Sequence, residues 1–334
     1  MIVRKGAIGI AALALGALMP LAGSKPAGSK PGKATVAKGT PVLWRDPGND
    51  LNLYYGPGSR AREPRAPFTF IKEDTGGSSP KYTVSDARGA KWKIKLGLES
   101  RAETAASRLV WAAGFFANED YLVPELRVEN LPAHLKRHKL IEPGGVMRNA
   151  RLKRESHDEE KIGEWKWRDN PFRDSREWYG LRAVMALLNN WDVKDENNAI
   201  YRRGDELIYM VSDVGATFGA AGRSWPASRS KDNLKIYSAS RIICAEHDEF
   251  IDFCAPGRAS IAHLVDPLEF HRRLKLRWVG RDIPRAHAKW IGVILARLSS
   301  DQIRDAFRAA GYSPAEIEGF TDAVQQRIAT LTDL

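Results

Sequence analysis

The chain has 334 residues, 43% of them hydrophobic, and a formal net charge of +11. That composition supports a core large enough for one big domain or two lobes around a cleft, and it excludes global disorder. Acidic and basic residues are interleaved, so the charge reads as solvated surface and does not point to a specific nucleic-acid partner.

Arg4 and Lys5 precede an apolar run over residues 7–19, which ends at Pro20-Leu21-Ala22-Gly23-Ser24. A basic start, an apolar stretch and small residues describe a signal peptide over residues 1–23. The run is shorter than the about 20 residues a membrane span needs. No other stretch is long enough, so no transmembrane span is expected after signal cleavage, and the expected location is periplasmic or extracellular. An uncleaved N-terminal anchor is the alternative. Residues 24–40 are rich in Lys, Gly, Pro, Ala and Ser and read as a flexible linker.

Residues 41–155 read as a β-rich lobe. Phe68-Thr69-Phe70-Ile71 is β-prone, a turn follows over residues 75–80, and Lys81-Tyr82-Thr83-Val84 forms the next strand. Residues 91–96 alternate, with Trp92, Ile94 and Leu96 on one face and Lys91, Lys93 and Lys95 on the other. Residues 102–114 read as a helix ending at Gly114, a good C-cap. Residues 126–128 and 145–152 read as further strands. His134 and His138 have i, i+4 spacing without the Glu of a zinc-protease pattern, and read as part of a cationic surface helix.

Residues 156–334 read as a mainly helical lobe. Residues 176–189 place Trp178, Leu181, Val184, Met185 and Leu188 on one helical face. A strand pair follows over residues 198–201 and 207–211, turned at Arg203-Gly204-Asp205. Several helices are expected over residues 260–330, one starting at Ser313 with Pro314 at its first position. Trp165, Trp167 and Trp178 have basic neighbours; they read as core, with a glycan or nucleic-acid platform as the alternative. Cys244 and Cys254 are the only cysteines. In an oxidising compartment a disulfide is expected between them, against the alternative of two buried thiols.

The segment Asp192-Val193-Lys194-Asp195-Glu196-Asn197 sets Asp, Lys and Asn at relative positions 0, +2 and +5. That is the spacing of a phosphoryl-transfer catalytic loop. Such chemistry mainly positions substrates and neutralises phosphate charge. Asp192 would orient or deprotonate the acceptor hydroxyl, and Lys194 would contact the migrating group. Asn197, with Asp213 after the strand pair, would supply oxygen ligands to Mg²⁺ or Mn²⁺.

At these residues the chain resembles the protein-kinase-like superfamily. Residues 192–197 are similar to its D-L-K-P-E-N loop, and Asp213-Val214-Gly215 to its D-F-G motif. The stretch Asn190-Trp191-Asp192, followed by residues 213–219, is closer to the atypical branches: spore-coat-type kinases, persistence-toxin kinases and type II phosphatidylinositol kinases. The segments around residues 42–48 and 189–198 are also similar to an exported bacterial family common in acidobacteria.

The resemblance implies an α+β, two-lobed protein-kinase-like fold and an ATP- and metal-dependent transfer to an unknown protein or small-molecule acceptor. It implies that Lys95 holds the nucleotide phosphates and that Glu103, eight residues later, pairs with it. Gly76 and Gly77 stand where a glycine-rich phosphate loop is expected, without the full G-x-G-x-x-G pattern. Asn190-Trp191 replaces the usual His-Arg, and no Ala-Pro-Glu segment follows Asp213. A catalytically silent binding or scaffold module and an AMP transferase are the alternative functions on this fold.

Overall fold

A computed structural model describes residues 38–76, 79–155, 159–220, 231–255 and 276–334. The signal peptide, almost all of the linker, and Gly77 lie outside the described residues. The architecture is α+β and two-lobed, with strands first and helices after.

The chain enters through β1 (Thr40–Val42), which pairs in parallel with a strand of the second lobe. β2 (Phe68–Asp74), β3 (Lys81–Ser85) and β4 (Lys91–Lys95) form an antiparallel meander. Helix α1 (Glu99–Ala112) follows, and then β5 (Asp120–Glu129), β6 (Ile141–Glu142) and β7 (Val146–Arg154). β4 pairs with β7 as well as β3, so β2, β3, β4, β7 and β5 close a circuit of strands. Period-2 alternation buries Tyr82 with Val84 and Trp92 with Ile94 in its interior, and Met147 and Leu152, on either side of the left-handed Asn149, are buried there too. Lys91 and Lys93, on the other face of β4, are exposed.

Beyond β7 come β8 (Glu160–Gly163) and α2 (Arg176–Leu187). Ser175 caps α2 by accepting the amide of Trp178. The expected apolar face of α2 is buried, and so are Ala183, Ala186 and Leu187 around it. β9 (Ala199–Arg203) and β10 (Glu206–Met210) form the expected hairpin, which joins β1 and β8 in one sheet. α3 (Leu234–Ala239) precedes β11 (Ile243–Glu246), β12 (Phe250–Phe253) and β13 (Ile283–Pro284). Cys244 and Cys254 lie at disulfide distance across the β11–β12 pair. Three helices complete the lobe: α4 (Arg285–Leu295), α5 (Ser300–Ala309) and α6 (Pro314–Thr332). Ser313 and Glu316 form a reciprocal capping box at the start of α6.

An aromatic cluster of Phe218, Tyr237, Phe307, Tyr312 and Phe320 fills the space between α3, α5 and α6. Buried Arg327 on α6 donates to the carbonyls of Leu187 and Tyr237 and to Oδ1 of Asn189. A charged side chain with its donors satisfied inside the core ties α6 to the end of α2, where the loop of residues 190–197 begins.

Several expectations need correction. The helix expected from residue 102 begins at Glu99, and the strand expected from residue 126 begins at Asp120. His134 is not helical, and His138 starts only a short 3₁₀ turn, His138–Leu140, because local turns carry the chain between β5 and β6. Trp165, Trp167 and Trp178 are buried and serve the core. No helix among the described residues is long and apolar enough to cross a membrane.

Candidate active site

A cleft of about 530 Å³ opens where the two lobes meet. Its strand-lobe wall carries Lys95, Glu103, Arg151 and Lys153; its other wall carries Glu196, Asn197, Ser212 and Asp213.

Lys95 ends β4, where the strand passes beneath α1, and its side chain is only 4% exposed. Its ammonium donates to Glu103 Oε2 at 2.9 Å and to Asp213 Oδ1 at 2.8 Å. A third carboxylate, Glu99 Oε2, lies at 2.6 Å. Glu99 and Glu103 stand one helical turn apart on α1 and so face the same lysine. Burial opposes the charge of Lys95, but Glu103, Asp213 and Glu99 outweigh it and hold the group well above the ordinary lysine value. Burial likewise opposes the charge of Asp213, yet Lys95 and then Arg151 bring its carboxyl down to about 2. Both groups are therefore ionised at neutral pH.

Glu103 is shared. Its second oxygen, Oε1, accepts from Arg151 on β7 at 2.8 Å, and Arg151 also reaches Asp120 Oδ1 at 3.2 Å. A continuous line of alternating charge thus runs from Asp213 through Lys95, Glu103 and Arg151 to Asp120. Next to it, burial and then the charge of Arg151 push the Lys153 ammonium down to about 8.

Asp213 follows β10. Val211 is fixed by a bridge to Ala117, and the Ser212 hydroxyl donates to Asn118 Oδ1 at 3.0 Å. Asp213 takes a left-handed backbone conformation, φ 56°, which Asp tolerates better than most residues. The chain then runs tightly against α1. A Cβ on Gly215 would meet Glu99 Cβ at 2.9 Å, so glycine is required for the approach.

The loop after α2 is pinned by its structural residues. Asn189 turns the chain with φ 56°. Trp191 is buried, and Asn190 Oδ1 accepts the amide of Asp192 at 3.2 Å. Asp195 Oδ1 accepts the amide of Trp167 at 2.8 Å. These anchors leave Asp192 and Lys194 outward, paired at 3.1 Å with side chains 44% and 48% exposed. Asn197 faces the cleft.

The fold therefore brings Lys95, Glu103, Asn197 and Asp213 to one cleft. Asp192 and Lys194 stand on the adjoining loop, outside the residues that line it. Gly76 does not line it either. Its amide donates to Asp74 Oδ1 at 2.8 Å, and Arg137 holds the turn through the carbonyl of Ser79 at 2.7 Å. A phosphate-cradling role for Gly76 is not supported, because its donor is already used. Sequence reasoning missed Glu99, Arg151, Asp120 and Lys153. The four-residue spacing of Glu99 and Glu103 was a signal for the first; the others depend on strand pairing.

No family profile and no curated protein matches the chain. Among solved structures it is similar to the Helicobacter pylori proinflammatory kinase CtkA, at 10% identity and a TM-score of 0.44, covering 79% of this chain and 95% of that one. It is also similar to the Golgi casein kinase, at 10% identity and a TM-score of 0.30, covering 80% of this chain and 75% of that one. A third is the MAP kinase LmaMPK10 from Leishmania major, at 11% identity and a TM-score of 0.21, covering 80% and 94%. At such identity the chemistry has to be argued from the residues themselves.

Proposed function

We propose that this chain is an exported kinase-like phosphotransferase that uses ATP with Mg²⁺ or Mn²⁺, built as a signal peptide, a linker and two lobes meeting near residue 155. The observation that carries this reading is the Lys95 ammonium held between Glu103 and Asp213 at the cleft. A buried cation held at the cleft by a helix carboxylate is a preplaced positive charge for phosphate oxygens.

Asn197 and Asp213 are the residues that would hold the metal. Among the described residues no group of three or more His, Cys, Asp or Glu side chains is placed to hold one. A carboxylate with a carboxamide suits Mg²⁺, which keeps waters and takes further oxygens from the substrate phosphates. When bound, the ion neutralises charge on the transferred group.

Asp192 stands on the exposed loop to accept the proton of the acceptor hydroxyl. The acceptor oxygen forms its bond to the γ-phosphorus as the bond to the bridging oxygen breaks, and ADP leaves. Lys194 contacts the migrating group and, in the free protein, neutralises Asp192.

One observation favours a second reading, a module that binds without turnover. A lysine ammonium has three donors, and Glu99, Glu103 and Asp213 lie within reach of all three. Phosphate must then displace a carboxylate to reach Lys95.

The test is incubation of purified protein with Mg²⁺ or Mn²⁺ and ATP labelled separately at the α- and γ-phosphates, beside Asp192→Ala and Asp213→Ala. Label retained from the γ position and lost in both variants supports phosphotransfer. Label from the α position supports AMP transfer. Nucleotide binding without retained label supports the silent module, and absence of both removes the enzyme reading.

A further inference from the structure

A second cavity, of about 600 Å³, lies wholly within the helical lobe. Five arginines line it: Arg168, Arg173, Arg182, Arg277 and Arg281. Trp178, Tyr179 and Trp278 supply aromatic walls, and Asp174 and Asp282 are the acids among its lining residues. Positive charge is thus in excess by three.

The wall is built around one buried guanidinium. Arg182 on α2 is 5% exposed and lies 4.4 Å over the Trp178 ring. It donates to the carbonyls of Val279, Trp278 and Arg281, which holds the 278–281 backbone against α2. The neighbouring arginines are less committed. Arg281 reaches Asp252 only at 3.6 Å and Arg173 reaches Asp174 only at 3.7 Å, with every one of those side chains but Asp252 more than half exposed. Among the described residues Arg168 and Arg277 make no ion pair, and Arg168 lies 5.7 Å over the Trp278 ring.

Like charges gathered around one concavity repel each other, and an anionic guest relieves that repulsion. Arginine forks match the oxygens of a phosphate group. The volume falls in the range of small-molecule sites and exceeds what a bare ion fills. Tyr179 and Trp278, the partly exposed aromatic residues of the lining, favour a planar group beside the anion.

We propose that this cavity is a second ligand site, distinct from the interlobe cleft, that takes a small phosphate monoester carried on a planar ring. The segments that carry its lining residues pack against the loop of residues 190–197, which does not itself line the cavity. Arg168 follows Trp167, whose amide Asp195 holds, and a Cβ on Gly280 would meet the Trp191 ring at 2.4 Å. The inference does not depend on the phosphotransferase reading.

Phenyl phosphate is the probe, titrated calorimetrically into the full chain. Phenyl sulfate, inorganic phosphate and phenol serve as the comparison arms. The variant Arg168→Ala with Arg277→Ala removes two arms that hold no backbone carbonyl, and its melting curve reports that it folds. The wild type should bind phenyl phosphate more tightly than each comparison ligand, and the double variant about tenfold more weakly. Asp213→Ala, which alters the interlobe cleft, should leave the affinity unchanged. Absence of binding by the wild type, equal binding by the folded double variant, or loss of binding in Asp213→Ala overturns the proposal. Equal affinity for phenyl sulfate overturns the dianion, and equal affinity for inorganic phosphate overturns the ring.

Discussion

Lys95 and Asp213, 118 positions apart in the chain, are joined at 2.8 Å between Nζ and Oδ1. That contact links the end of a strand in one lobe to the turn after the hairpin in the other. Removing the lysine leaves Glu99, Glu103 and Asp213 facing one another without their shared cation. Breaking a buried pair from one side costs about 3–5 kcal/mol. Arg151 still compensates Glu103, so Lys95→Met should lose stability near the lower end of that range. Denaturant unfolding checks this, and an unchanged midpoint would contradict the buried network.

Gly215→Ala probes the same corner sterically. A methyl group there meets Glu99 Cβ at 2.9 Å, and neither backbone can give way cheaply. Overpacking of this kind costs about 1–3 kcal/mol. Because the strain pushes on α1, which carries Glu103, ATP affinity should fall together with stability. A variant that loses neither shows that the 213–215 turn is not packed against α1.

The pH dependence should come from Lys153. Its ammonium titrates near 8 in the folded protein, against an ordinary value of 10.5. The cleft therefore carries that charge at pH 7 and loses it by pH 9. ATP affinity should drop about tenfold over that interval, the order of one charge-assisted hydrogen bond, and Lys153→Met should bind weakly and without the pH step. The stability sign is the opposite. With the folded value depressed, the unfolded chain binds more protons between about 8 and 10.5, so folding stability rises with pH through that window. Flat affinity from pH 7 to 9 would rule out Lys153 as a ligand contact.

Arg101 ties α1 to the helical lobe. It reaches Asp232 at 3.2 Å and Glu316 at 3.0 Å, and its guanidinium lies 4.1 Å over the Tyr312 ring. Arg101→Ala should cost about 2 kcal/mol. It should also raise hydrogen exchange along α1, since that helix holds Glu103 in register with Lys95. Unchanged exchange would mean that strand packing alone fixes α1.

Local patterns carried much of this fold. Alternation in residues 91–96 placed Trp92 and Ile94 in the core, and Ser313 with Pro314 marked the start of α6. The spacing of Asp192, Lys194 and Asn197, with the hairpin leading to Asp213, marked the loop and its neighbour on the same wall of the cleft. What stayed hidden is tertiary. Lys91, Lys93 and Lys95 share a strand face, and only the passage of α1 over the end of β4 buries the third. Arg151 reads as one more cation in a basic strand until β7 pairs with β4 and brings it to Glu103. Gly76 illustrates the reverse: a glycine pair suggested a phosphate loop, but Asp74 already accepts its amide.

On the proposed reading the interlobe cleft is a metal–nucleotide site with Asp213 at its centre. Calorimetric titration of ATP into the wild type and Asp213→Ala, each with and without Mg²⁺, tests it most directly. The wild type should bind ATP more tightly with Mg²⁺ than without, and Asp213→Ala should lose that difference while staying folded. A folded wild type that binds no ATP, or an Asp213→Ala variant that keeps the full Mg²⁺ effect, contradicts the claim.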